Sequence, residues 1–148
     1  REEEKIPVVA IGTNSADTLV KEKGVNIEPG LRSVDSLEII YYDDPDGDSL
    51  RYSRFYTYFP SNDSLIVSPV IDGLSQSFEM IVAPRKCRSE GKIYLYGKQE
   101  PVKTIYFSTR NNTCHYLYFI KERNFLYFAM PPQVSMLLKE NKLKAIKP

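Results

Sequence analysis

Apolar and polar residues alternate through most of this chain, and clusters of Pro, Gly, Asn and Asp break the alternation every few residues. This is the pattern of short β-strands joined by turns. It is clearest in the last third, where Lys92–Tyr96, Val102–Thr109, Cys114–Lys121 and Phe125–Met130 are rich in Tyr, Phe, Ile and Leu. Asn111-Asn112 suits a two-residue type I′ turn, because Asn tolerates positive φ, and such a turn pairs Thr109 with Cys114. Carried across the meander, this register sets Tyr94, Ile105, Tyr118 and Phe128 in one row, Phe107 beside Tyr116, and Ile120 beside Leu126. The other face carries Ile93, Leu95, Leu117, Phe119, Tyr127 and Ala129. Two apolar faces each require a cover. One is expected from an N-terminal sheet. The other is expected from a helix that Pro131-Pro132 start, with Val134, Leu137 and Leu138 on one side and Lys139 and Lys142 near its negative end.

Earlier in the chain, Pro7–Ile11 reads as a strand, Ser15 as the cap of a helix over Ala16–Lys23 ended by Gly24, and Val25–Glu28 as a strand before a turn at Pro29-Gly30. Asp44-Pro45-Asp46-Gly47-Asp48 is a strong turn signal, since Pro presets φ and Gly supplies the positive-φ position. Pairing Asp44 with Asp48 predicts a hairpin of Ser36–Asp43 with Asp48–Phe59. Tyr42 then faces Leu50, Ile40 faces Tyr52, Glu38 faces Arg54 and Leu37 faces Phe55. A strand at Leu65–Val70, a turn at Asp72-Gly73, a strand at Gln76–Ala83 and an irregular link Pro84–Glu90 complete the chain. The expected fold is all-β, mainly antiparallel, with a short C-terminal helix: a two-sheet sandwich, Ig-like or related. The alternative is a partly closed barrel resembling lipocalins, whose Gly-x-Trp signature a chain without Trp does not contain.

At 148 residues the chain is one domain, read as a tether over residues 1–6 and a β-rich domain over 7–148. No apolar run approaches a membrane span. Arg1 in place of Met, followed by a polar stretch to Lys5, predicts a removed leader, secretory or lipoprotein, and hence an exported, periplasmic, outer-membrane-anchored or extracellular setting. Cys87 and Cys114 are not spaced for zinc, and their even number makes them a disulfide candidate. The bland alternative is two separate thiols.

The second reading of the Pro-Asp-Gly turn is chemical. Asp43, Asp44, Asp46 and Asp48 are carboxylates that repel one another unless a hard cation or solvent screens them, which makes them a candidate for weak Ca²⁺ binding. An EF-hand is excluded, because the required Gly and Glu positions fall on Ser49 and Phe55. Asp43–Tyr52 resembles the Asp-rich stretch that opens strands in bacterial cadherin-like and Ig-like β-sandwich repeats, and the resemblance implies a sandwich with acidic Ca²⁺ ligands. Asp35-Ser36-Leu37, Asp48-Ser49-Leu50 and Asp63-Ser64-Leu65 are similar to the O-glycosylation acceptor of some Gram-negative bacteria. Their simpler reading is that Asp and Ser end turns while Leu begins a buried strand. Asn62-Asp63-Ser64 and Asn111-Asn112-Thr113 match the N-glycosylation acceptor.

Nucleophilic catalysis finds little to work with. The single His, His115, adjoins Cys114 in sequence but points to the opposite face of a strand. No phosphate loop, serine elbow or metalloprotease helix is present. Charge is uneven: residues 1–79 hold 15 acids against 7 Lys or Arg, residues 80–148 hold 4 against 13. Cations beside aromatics on a sheet are a device of single-stranded nucleic-acid binders, yet these aromatics are also needed for the core. The expected function is therefore a non-enzymatic exported binding or accessory domain for a protein, glycan or small ligand, with no nucleic acid. An apolar-ligand carrier is the main alternative, and a single-stranded nucleic-acid binder a lesser one.

Overall fold

The computed structural model describes residues 19–22, 29–45, 55–75, 78–81, 87–109 and 114–148. Eight antiparallel strands form one sheet: β1 (Leu19–Glu22), β2 (Ser36–Tyr42), β3 (Tyr56–Ser61), β4 (Phe78–Ile81), β5 (Gly91–Gly97), β6 (Glu100–Thr109), β7 (His115–Lys121) and β8 (Asn124–Ala129). Their order is β1-β4-β8-β7-β6-β5-β2-β3, so the sheet does not close. Six strands make its body, and the four-residue β1 and β4 extend one side. Helices α1 (Ser64–Ser75) and α2 (Pro132–Lys142) pack against each other, and their apolar sides join the core on one face of the sheet.

The core follows from alternation. Leu37, Ile39 and Tyr41 of β2, Ile93 and Leu95 of β5, Ile105 and Phe107 of β6, Leu117 and Phe119 of β7 and Phe128 of β8 all turn to the helices. They meet Val67, Val70, Ile71 and Leu74 of α1 and Val134, Leu137 and Leu138 of α2. Gly73 permits the helix contact, because a Cβ there would stand 2.8 Å from Val134 Cγ2. Gly91 sits opposite Phe107, whose ring Cζ would lie 2.7 Å from an added Cβ. The ring covers what the glycine leaves bare.

The C-terminal helix forms where expected, with Pro132 in its first turn and the Pro131 carbonyl accepting from the amides of Val134 and Ser135. Several expectations need correction. Among the described residues there is one sheet with helices on one side, where two stacked sheets or a partly closed barrel were expected. Leu65–Val70 is helix, and Asp72-Gly73 lies inside it. Asp63 caps this helix, its Oδ1 accepting from the Leu65 amide at 2.9 Å, and the buried positions 67, 70, 71 and 74 have helical spacing. Leu65 is consequently exposed rather than the start of a buried strand. Leu19–Glu22 is a strand paired with Phe78–Ile81, where a helix over Ala16–Lys23 was expected. The strands expected at Pro7–Ile11 and Val25–Glu28 lie outside the described residues, and Pro29–Ser33 forms a 3₁₀ turn.

Both hairpin registers also differ. Glu38 faces Pro60, Ile40 faces Tyr58 and Tyr42 faces Tyr56, six residues from the expected pairing. The expected register would have set Ser53 and Arg51 beside Ile39 and Tyr41 on the core face, whereas the observed one brings Phe59 and Thr57 there. Six is even, so each side chain keeps its face. In the meander the offset is one residue: Ile93 pairs with Ile105, Phe107 with Leu117, Thr109 with His115 and Leu117 with Phe128. The turns that join β5 to β6 and β7 to β8 are Lys98-Gln99 and Glu122-Arg123, all four residues at positive φ. Here an offset of one exchanges faces, and Tyr127 and Ala129 leave the core side.

Candidate binding face

The alternation that buries Ile, Leu and Phe on one side delivers tyrosine to the other. Nine of the eleven tyrosines stand on the face opposite the helices: Tyr42 on β2, Tyr56 and Tyr58 on β3, Tyr94 and Tyr96 on β5, Tyr106 on β6, Tyr116 and Tyr118 on β7, and Tyr127 on β8. Of the other two, Tyr41 points into the core and Tyr52 lies outside the described residues. The paired registers join Tyr58, Ile40, Lys92, Tyr106, Tyr118 and Tyr127 into one row across six strands. Five steps of strand spacing make that row about 24 Å long. Its rings are in contact: Tyr106 and Tyr118 stack at 4.9 Å with planes 15° apart, and Tyr118 meets Tyr127 at 5.0 Å.

At the β3 end this face opens into a half-open pocket of about 300 Å³, lined by Glu38, Ile40, Tyr42, Tyr56, Tyr58, Lys92, Tyr94 and Pro148. Pro148 arrives because Ile146 exchanges two backbone hydrogen bonds with Tyr58, at 2.8 and 3.0 Å, along the outer edge of β3. Lys92 Nζ lies 5.0 Å from the centre of the Tyr94 ring. Burial pulls the Lys92 ammonium down, but its hydrogen bond with Tyr94 and the phenolic oxygens of Tyr42, Tyr94 and Tyr106 outweigh that and hold it above its ordinary range. Burial first, then the Glu38 carboxylate and Tyr94, raises Tyr96. Among the described residues the pocket thus presents ring faces, phenolic hydroxyls, the Lys92 ammonium and the Glu38 carboxylate.

At the opposite end the face is covered. Tyr116 and Tyr127 are buried with Ile81, and burial followed by Tyr116 raises the Tyr127 phenol. Cys87 and Cys114 are disulfide-bonded with Cα atoms 6.1 Å apart, inside the usual range for a bridge. The Cys87 amide donates to the Tyr116 hydroxyl at 2.9 Å, and the Ser108 hydroxyl donates to the Cys114 carbonyl at 2.7 Å. The link carrying Cys87 is thereby tied to β6 and β7. Glu90 extends the tie, its carboxylate accepting from the Thr109 amide at 2.9 Å and hydroxyl at 2.7 Å.

The acidic candidates are placed only in part. Asp43 and Asp44 are exposed at the end of β2, where the Asp43 amide donates to the Phe55 carbonyl, and Asp46 and Asp48 lie outside the described residues. Among the described residues no three His, Cys, Asp or Glu side chains gather around a common point. No described helix is long and apolar enough to cross a membrane. His115 faces Thr109 at the start of β7, away from the tyrosine pocket. What the sequence analysis missed is the pocket, although its signal was present: Ile-Tyr-Leu-Tyr over 93–96 and Tyr-Leu-Tyr-Phe over 116–119 sort tyrosine from aliphatic and phenyl side chains strictly by alternation.

No family model matches the chain, and comparison with the curated proteins and with the solved structures finds no match.

Proposed function

We propose that this chain is a non-enzymatic binding domain of an exported protein, and that the tyrosine face with its pocket is where the ligand sits. The observation that carries this reading is the segregation of nine tyrosines to the face that does not pack the helices, four of which line a pocket of about 300 Å³ whose described lining holds one acid and one base. Tyrosine combines a flat apolar ring with a polar tip, the chemistry of a surface that is wet when empty and dry when occupied. Export rests on the Cys87–Cys114 bridge, since such bonds persist in oxidising compartments. The reading is preferred to an apolar-ligand carrier because, among the described residues, the cavity on the helix side of the sheet beside Lys103, Phe119 and Phe128 holds only about 10 Å³.

A thermal-shift screen of small molecules, glycans and peptides tests the proposal, since a ligand of the folded state at a hundred times its Kd adds about 2.7 kcal/mol of stability. The shift is expected to disappear in a Tyr58→Ala, Tyr94→Ala double variant and to persist in Leu143→Ser, which changes an exposed residue beyond α2. A shift that survives the double variant places binding elsewhere and overturns the reading.

A further inference from the structure

The composition of the tyrosine face restricts what can lie on it. Along β2, β3, β5, β6, β7 and β8 its positions hold one acid, Glu38, and one base, Lys92. A nucleic-acid strand tracking 24 Å of surface would need a series of cations for its phosphates, roughly one per nucleotide, and the row supplies Lys92 alone. A wholly apolar ligand would strip water from Glu38 and Lys92 without replacing their hydrogen bonds, which is costly. Peptides engage sheets chiefly through strand edges. At the β3 edge beside the pocket, the Tyr58 amide and carbonyl are already bonded to Ile146.

A sugar chain meets each condition. The C–H face of a pyranose ring is apolar and carries slight positive charge, which suits the negative face of a tyrosine ring. Its hydroxyls both donate and accept, so they satisfy the Glu38 carboxylate, the Lys92 ammonium and the phenols of Tyr56, Tyr58 and Tyr94 together. It carries no net charge for a single ammonium and a single carboxylate to balance. Several linked rings span the aromatic row. We therefore propose that the pocket and the row from Tyr58 to Tyr118 bind a neutral polysaccharide, one sugar seated between Glu38 and Lys92 and its neighbours lying along the outer edges and hydroxyls of the mutually stacked Tyr106 and Tyr118 rings. This assignment rests on the binding-face reading above and deepens it.

Affinity electrophoresis of the whole chain, in native gels containing β-1,3-glucan, mannan or xylan, tests it alongside gels containing heparin, oligothymidylate or a pool of random decapeptides. Retardation by at least one neutral polysaccharide is expected. Tyr106→Ala is expected to weaken it roughly tenfold, the scale of one lost ring contact, and Lys92→Met to weaken it while the melting temperature stays within a degree or two, about the effect of a surface change. Tyr58→Phe, which keeps the ring, is expected to retain most of the retardation and guards against loss through misfolding. Failure of all three polysaccharides overturns the glycan assignment. If heparin, oligothymidylate or the peptides are held through the same tyrosines, the glycan assignment falls while the binding face stands. If nothing in any gel is held, both fall.

Discussion

Tyr41 is the tyrosine that the face did not take, and its environment shows why. Its hydroxyl donates to the Leu138 carbonyl at 2.6 Å inside the core, tying β2 to the end of α2, and its ring meets Phe107 edge to face at 5.9 Å. Replacing Tyr41 with Phe leaves that carbonyl without its donor and is expected to cost about 1–2 kcal/mol, read from urea midpoints. Burial, then the Glu90 carboxylate, raises the Tyr41 phenol far above its ordinary value. A raised phenol favours the neutral form in the folded state, so its contribution is complete below the unfolded value near pH 10 and is lost as pH rises beyond it. Alkaline unfolding is therefore expected above about pH 10, with a shallower slope in Tyr41→Phe. Cys87 and Cys114 carry a second residue-scale expectation. Their separation of 27 residues corresponds to roughly 3.5 kcal/mol in the chain-entropy picture. Reduction should lower the melting temperature accordingly, and two reactive thiols in unreduced protein would contradict the bridge.

At the scale of elements, the strands β5 to β8 and α2 were legible because their periods were long and uninterrupted, while β1 and α1 were not. Ile66-Val67 is a β-branched pair and Pro69 stands inside the helix, both of which argue locally against helix. The Asp63 cap and the packing of positions 67, 70, 71 and 74 on the sheet outweigh them. Asp63→Ala is expected to cost about 1 kcal/mol by thermal melt, the usual value of a lost cap. Registers were missed for a related reason. The expected type I′ turn rested on Asn111-Asn112, but the two-residue turns seen are Lys98-Gln99 and Glu122-Arg123, whose side chains carry no such signature and hold φ of 52° to 70° at some strain. Glu122→Asn with Arg123→Gly should relieve that strain and stabilise the protein by roughly 0.5–1 kcal/mol. No gain in melting temperature would mean that the turn is held otherwise. A better guide lay in the strands themselves, because the observed register sets Tyr106 opposite Tyr118, Tyr118 opposite Tyr127, Ile93 opposite Ile105 and Leu117 opposite Phe107 and Phe128.

At the scale of the whole molecule, the proposed function divides the labour of one sheet between its two faces, one for folding and one for recognition. The aliphatic and phenyl face is spent on α1 and α2, and the tyrosine face is left with ring surfaces, hydroxyls and a pocket beside the C-terminal residues. This division was hidden from the sequence because two apolar faces imply two covers, and tyrosine counts as apolar until its hydroxyl is given a wet side. The acidic-loop expectation is placed only in part, since Asp46 and Asp48 lie outside the described residues. The division itself is open to direct measurement by mild nitration of the folded protein, with each tyrosine followed by peptide mass spectrometry. Tyr58, Tyr94 and Tyr106 are expected to react readily, while Tyr41 and Tyr116, both almost fully buried, stay protected until the protein unfolds. Equal protection of Tyr94, Tyr106 and Tyr41 would contradict a tyrosine face open to a ligand.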